Sequence, residues 1–345
     1  MTSVPLTRLV HWSRAFAGPR SIIVTVAALA LVALIAIPVI RWGLTGAVFS
    51  GTVDDCRAAP GACWAFLGAK SRFILFAFYP EGQLWRPALT VVLLLGLMVV
   101  SALPAAWGQR LLLAWPATIG GGWWLMAGGG PLPVVAVNDW GGLPVTLLVW
   151  TACMAFALPA ALLLALARQS RMGGLRTLSV AYIELMRATP MVAVLYFAML
   201  ILPMALPEGV TLNKVVRATI MIALFFTAYL AEVVRGGLQT VPGGQTEAAA
   251  ALGFGYWRTV QLVILPQALR KVIPGLVNLA IGFLLATSLL AVIGVFDLLQ
   301  AAKASTTDAS WLGFYDEAYL FVAVIYFVLC FAGSRYSLWL ERRMT

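Results

Sequence analysis

Long apolar stretches alternate with short polar breaks along most of this chain. The first run spans residues 21–40 and follows Arg8, Arg14 and Arg20. Further runs lie near 88–107, 111–128, 142–167, 178–206, 215–234, 272–296 and 318–340. A bilayer crossing needs about 20 apolar residues in a helix, so the pattern predicts an all-α polytopic membrane protein with about eight transmembrane helices. The third run is the weakest, because Gly120-Gly121-Gly122 interrupts it and only a short turn separates it from the second. Those two are expected to form a tight hairpin. A signal peptide is the rival reading of the first run, but its apolar region is normally about 7–15 residues long. This run is longer and leads into Arg41-Trp42, an interfacial pairing, so it reads as an uncleaved anchor.

Composition narrows the picture in the same direction. Of 345 residues, 62% are apolar and 10% are charged, against roughly 25% charged in an ordinary soluble domain. Too few charges are present to cover a water-facing surface of this size. Disorder requires low hydrophobicity, and four cysteines are too few for a disulfide scaffold. The net charge of +10 would suit nucleic acid in a soluble chain, but no aromatic-basic module accompanies it. The bases instead sort by side. With a cytoplasmic N-terminus, fourteen Lys and Arg fall inside and eight outside, five of the eight in one loop at 41–87. Asp54, Asp55, Glu81, Asp139, Glu208, Asp297, Asp308, Asp316 and Glu317 all fall outside. The excess of bases inside predicts that both termini are cytoplasmic.

Cys56 and Cys63 lie in that outer loop, where a disulfide can form; the sequence leaves a bridge and two separate thiols equally open. Cys153 and Cys330 sit within spans and read as small buried apolar groups. Trp12, Trp42, Trp64, Trp85, Trp107, Trp115, Trp140, Trp311 and Trp339 fall near predicted interfaces and read as an aromatic belt. The single histidine, His11, reads as an interfacial residue, and a His-based metal or catalytic site is poorly supported.

Residues 235–271 stand apart, on the cytoplasmic side. They read RGGLQTVPGGQTEAAAALGFGYWRTVQLVILPQALRK, too long for a turn and too polar to span. Gly236-Gly237 are expected to release the preceding helix, and Pro242-Gly243-Gly244 to make a second break. Thr246 and Glu247 read as helix-start residues, the alanines that follow favour helix, and Gly253 fits a left-handed stop. A second short helix is expected from Tyr256 to about Leu265, where Pro266 disrupts it. Two short helices with Phe254, Tyr256 and Trp257 make a knob that suits a groove on a partner protein. An amphipathic hairpin resting on lipid is the alternative on physical grounds.

The order Glu247-Ala248-Ala249, Gly253, Val263 and Leu265-Pro266 resembles the EAA loop of binding-protein-dependent ABC transporter permeases, with Val263 where the family usually has Ile. Tyr229 to Gln239, Pro242, Gly244-Gln245, Leu265 to Leu269 and Tyr182 to Pro190 resemble the polar amino-acid permeases. Phe296-Asp297-Leu298-Leu299 and Ser334-Arg335-Tyr336-Ser337 resemble most closely the membrane subunit of a general L-amino-acid transporter. The resemblance covers about 141–343 and implies a five-helix permease core at 141–345, preceded by an extension at 1–140 with about three spans and the 41–87 loop. It implies an EAA loop at 236–271 whose Glu247, Ala248, Ala249, Gly253, Leu265 and Pro266 couple to a separate ATPase.

ATP and magnesium are then expected on partner ATP-binding cassette subunits, with no cofactor in this chain. A second permease, in a hetero- or homodimer, and an extracytoplasmic amino-acid-binding protein complete the expected assembly. The sequence agrees that the motor lies elsewhere: Ala69-Lys70-Ser71 lacks the glycines that cradle phosphate. Relatives often carry a Lys-Asp pair where this chain has Leu285-Ala286.

Candidate residues within the spans follow from cost, because ionisable groups at membrane depth are expensive. Glu184 and Arg187 are spaced for a local ion pair before Thr189-Pro190; a gate or substrate-path role is the alternative. Glu232 and Arg235 repeat that spacing, as a structural link to the EAA loop. Asn278, Thr287 and Ser288, with Gly282, offer polarity to a crossing amino acid or pack helices through small side chains. A secondary transporter driven by an ion gradient is the competing function; it expects acids in mid-span, whereas Glu184 and Glu232 lie near span ends. An intramembrane enzyme lacks a nucleophile–base pair or a metal-ligand set.

Overall fold

The first apolar run forms α1, Pro19–Thr45, and its most apolar window is exposed on every side, as a helix bathed in lipid would be. The computed structural model describes residues 18–344, so Arg8, His11, Trp12 and Arg14 lie outside the described residues. The chain forms two compact units that divide at Ala69/Lys70.

In the first unit the 41–87 loop begins as folded structure. Thr52 and Asp55 cap α2, Val53–Ala58, reciprocally, with the Thr52 N–H donating to Asp55 Oδ2 at 2.7 Å, which satisfies donors a helix start leaves unpaired. Cys56 and Cys63 are joined as a disulfide, and Trp64 Nε1 donates to the Gly43 carbonyl at 2.7 Å. Closing a loop of sequence separation 7 stabilises the folded segment by about 2.5 kcal/mol on chain entropy. Maleimide labelling of the native protein should therefore leave Cys56 and Cys63 unmodified until a reductant is added. Labelling without reductant would show that the pair is open.

The helix α3, Trp64–Phe76, leads into the second unit, where α4 (Trp85–Ala102) and α5 (Gln109–Ala127) form the expected hairpin. Ser101 anchors it: Trp115 Nε1 donates to Ser101 Oγ at 3.1 Å and Trp107 Nε1 to Ser101 O at 2.9 Å. Arg86 is wholly buried and spends its donors on carbonyls at the end of α5, Leu125 at 2.6 Å and Met126 at 3.4 Å, and on Pro133 at 2.9 Å. Helix ends leave such carbonyls unpaired, so a buried cation is stabilised there without a carboxylate. Trp140 departs from the predicted belt, being 3% exposed with its indole N–H on the Val135 carbonyl. Its partner lies in the protein, so it packs in the core.

The remaining helices are α6 (Gly142–Arg168), α7 (Gly173–Ala188), α8 (Met191–Ala205), α9 (Lys214–Gln239), α10 (Gly243–Ala251), α11 (Tyr256–Ile293), α12 (Leu298–Ser305) and α13 (Tyr315–Met344). The pair α6 and α9 forms the centre, with α11 against α9. Leu147, Leu148, Ile222 and Leu230 are buried in the core to which these helices contribute; Phe226 stacks on Phe283 with centroids 3.8 Å apart, and Trp150 Nε1 donates to the Ala280 carbonyl at 2.9 Å. All eight predicted runs are occupied by helices. Among the described residues six helices are each long and apolar enough to cross a membrane. The fifth run is not straight: α7 and α8 meet at 104°. Thr189 is extended before Pro190, as proline requires of its predecessor, and the missing proline N–H ends the helix.

Where α6 begins, Gly141 and Gly142 pair in parallel with Phe296 and Asp297. Asp297 is fully buried and caps α12, accepting from the N–H of Gln300 at 3.0 Å and Leu299 at 3.2 Å. Burial outweighs these bonds and pushes its carboxyl up to about 7 from 3.8. A raised carboxyl pKa means that the folded state holds more protons than the unfolded state between pH 4 and 7. Stability then falls as pH rises through that window. Asp297→Asn, which keeps an acceptor for the cap, should flatten the thermal-melting profile between pH 4 and 7; an unchanged profile would refute the assignment.

Candidate functional site: the coupling segment and its ion cluster

The helix α9 does not end at Gly236-Gly237, contrary to expectation, but continues to Gln239. A side chain at Gly237 would collide with Val272 and with the Ala268 carbonyl on α11. Gly237 therefore permits close approach of two helices, a packing role that glycine fills as well as a break. The chain then turns at Pro242, and α10 starts at Gly243, three residues before the predicted start at Thr246. Pro242 is extended and offers no side-chain cap; the break comes from the proline itself.

The end of α10 is as the sequence predicts. Gly253 takes φ +78°, its N–H donates to Ala250 O at 2.9 Å, and the Phe254 N–H donates to Ala249 O at 3.0 Å. This paired pattern satisfies the last carbonyls of the helix and needs a left-handed residue. The second helix differs from expectation. It runs from Tyr256 through a π turn, Val260–Ile264, straight into Leu265–Ala286. Pro266 therefore does not disrupt it. The wider π turn just before the proline absorbs the missing N–H and the ring's bulk, so helix runs unbroken from Tyr256 into the span that follows.

Ala249 is the buried residue of α10 and rests on the π turn, and Gln267 Nε2 donates to Gln245 Oε1 at 3.2 Å. Glu247, Ala248 and Gly253 are exposed. So are Leu252 at 76%, Tyr256 at 60% and Trp257 at 59%. The segment thus presents an aromatic and aliphatic face that nothing among the described residues covers. Leu265 is half-buried and Pro266 exposed, both at the root of the next span.

Beside this knob lies an ion cluster that the local spacing did not foretell. Glu184 pairs with Arg168 of α6 at 3.3 Å, and not with Arg187. Arg187 reaches Glu232 of α9 at 3.7 Å. Glu232 also pairs with Arg168 and with Arg235 at 2.9 Å, where the predicted i, i+3 pair does form. The Arg187 guanidinium lies 5.9 Å from the Tyr229 ring centroid. One carboxylate thus gathers three guanidiniums from α6, α7 and α9, and its side chain is only 15% exposed. Charges so placed are poorly screened by salt. The cluster clamps three helices at the end of α9 from which α10 departs. Arg168 is the residue that sequence reasoning missed; its only signal was its place as the last residue of a span.

The polar residues of α11 lie elsewhere. Asn278 is exposed in mid-helix. Thr287 is buried and donates to Leu284 O at 2.6 Å, and Ser288 donates to Leu285 O at 2.8 Å. Both hydroxyls hold carbonyls where the helix tightens to a 3-10 form over Thr287–Ile293. The structure therefore gathers Glu184, Arg187, Glu232 and Arg235 at one end, and leaves Thr287 and Ser288 toward the other. Leu285 and Ala286 are half-exposed to half-buried apolar neighbours of that tightening.

A family model described as binding-protein-dependent transport system inner membrane component matches residues 157–345. The chain belongs to this family. The match takes in the whole ion cluster and the coupling segment. Similarity to full-length relatives reaches further, into the N-terminal spans. The chain is 44% identical over 317 residues to the inner membrane amino-acid ABC transporter permease protein YhdY of Escherichia coli K12, covering 89% of this chain and 84% of that protein. It is 34% identical to the glutamate/glutamine/aspartate/asparagine transport system permease protein BztC of Rhodobacter capsulatus, covering 97% of this chain and 93% of that one. Among solved structures, the crystal structure of an amino acid ABC transporter with histidines is similar at 30% identity and a TM-score of 0.52, over 59% of this chain and 92% of that chain. As an inner membrane component of a binding-protein-dependent system, this multi-pass protein works with partners.

Proposed function

We propose that this chain is the permease subunit of an ATP-driven amino-acid uptake system, with both termini in the cytoplasm. Its helices form the translocation pathway, and ATP and magnesium are used on separate ATP-binding cassette subunits. A second permease subunit, like or unlike, and an extracytoplasmic amino-acid-binding protein complete the assembly. The similarity to YhdY, an amino-acid ABC transporter permease, and to BztC, a glutamate/glutamine/aspartate/asparagine permease, supports the substrate class.

The observation that carries the reading is the α10–α11 knob. It is folded, joined without a break to a span, and uncovered on its Glu247, Ala248 and Leu252 side. Closure of two nucleotide-bound subunits would move this helix, and the continuous α11 would pass the motion to the pathway. Gly253 sets the turn, Ala248 and Ala249 allow close approach, and Leu265 and Pro266 root the knob. Glu232 and Arg235, with Arg168 and Arg187, make the ends of α6, α7 and α9 move together. Glu184 and Arg187 sit where a gate at the cytoplasmic end would act. Asn278 contributes to the pathway wall, because an exposed carboxamide in mid-span is costly in lipid and stable against water or a partner permease. Thr287 and Ser288 mark the outer end of that wall.

The test is proximity. A cysteine at Ala248, co-expressed with the cognate ATPase carrying cysteines along its surface cleft, should cross-link to that subunit, and a cysteine at Val134, exposed in the connection between α5 and α6 on the outer side, should not. Cross-linking from Val134 and none from Ala248 would overturn the assignment.

A further inference from the structure

At the end of α9 opposite the ion cluster, a cleft of about 310 Å³ is lined by Val137, Asn138, Met199, Asn213, Lys214 and Arg217. Its size is at the small end of the range for small-molecule sites. The charge lining it is all positive. Lys214 Nζ donates to the Gly294 carbonyl at 2.8 Å and Arg217 Nη1 to the Met199 carbonyl at 3.2 Å. These carbonyls fix the two cations in place without neutralising them. Among the described residues, neither makes a salt bridge.

One donor is left over. Arg217 Nε is buried without a hydrogen-bond partner, a costly state for a charged group that an acceptor inside the cleft would relieve. The two carboxamides add neutral donors. Asn213 Oδ1 already accepts from the Val216 N–H at 2.9 Å, so its amide hydrogens remain to donate, as do those of Asn138.

Two fixed cations, an unpaired guanidinium N–H and two carboxamides form a lining that attracts oxyanions. A zwitterion with one carboxylate would leave its ammonium facing Lys214 and Arg217 with no acid to balance it. A dicarboxylate with one ammonium carries net negative charge and answers both cations. We propose that this cleft binds the carboxylates of an acidic amino acid as it enters the pathway from the outer side. This rests on the reading of the chain as an amino-acid permease, and it makes Lys214 and Arg217 selectivity residues distinct from the polar positions of α11.

The experiment is uptake of labelled L-glutamate and labelled L-glutamine by the complete complex, with its ATPase and binding protein, in proteoliposomes. Lys214→Met with Arg217→Met should lower the glutamate-to-glutamine uptake ratio about tenfold, the scale of a lost charge-assisted hydrogen bond. Arg217→Lys alone, with Lys214 intact, should retain most of the ratio. It keeps the charge, so it separates a binding role from a folding defect. An equal fall for both amino acids would overturn the proposal and point to contact with the binding protein instead. So would a wild-type complex that carries neutral amino acids and no glutamate or aspartate, although the permease reading would then stand. Uptake of no amino acid at all would defeat both.

Discussion

Gly253→Asp abolishes substrate-stimulated ATP hydrolysis by the assembled complex, by about thirtyfold or more, the loss expected when a contact at the centre of a docking face is worth about 2 kcal/mol. The chain itself should still insert and fold. Gly253 has open space where a Cβ would stand, so no clash is created within the chain. Asp is also among the residues that tolerate a left-handed backbone, which keeps the conformational cost small. What the substitution adds is a charge and a carboxyl group at the turn beside Leu252 and Phe254, on a face exposed among the described residues. The effect therefore falls on the partner. Gly253→Asn, which adds nearly the same volume without charge, should lose less. Normal stimulation in Gly253→Asp would remove the knob from the coupling role.

Glu232→Gln has the second large effect, and it acts on stability as well as on coupling. Three guanidiniums, from Arg168, Arg187 and Arg235, converge on this one side chain. Removing its charge leaves them facing one another with only Glu184 on Arg168 to compensate. Breaking one side of a buried ion pair costs about 3–5 kcal/mol; at 15% exposure the lower end of that range applies. The purified protein should melt at a clearly lower temperature. Pairing it with Arg168→Gln should cost less than the sum of the two single changes, because the second removes a cation that the first left unpaired. Full additivity in that double-mutant cycle would mean the residues do not act together.

Much of this architecture was legible in the chain, for reasons that can be named. Apolar run length located the helices, because membrane thickness sets it. The left-handed stop at Gly253 was legible because glycine is the residue that adopts it without strain. The failures share a cause. Gly236-Gly237 and Pro266 carry strong local signals for breaks, yet packing against Ala268 and Val272 and a π turn at Val260–Ile264 override them. The pairing of Glu184 was misjudged because i, i+3 spacing describes one helix, while Arg168 arrives from another. The cleft at Lys214 and Arg217 left no motif at all. It exists because the turn before α6, a π turn at Phe197–Ile201 within α8 and the start of α9 meet in space.

The central claim, that this chain forms the pathway of an uptake system powered from the cytoplasmic side, has one direct measurement. The complex with its ATPase and binding protein is reconstituted in proteoliposomes, and labelled amino-acid uptake is followed with ATP supplied on the side of the α10–α11 knob. The account predicts uptake that requires ATP hydrolysis and persists when a protonophore collapses the proton gradient. Uptake driven by a proton or sodium gradient in the absence of ATP would contradict it.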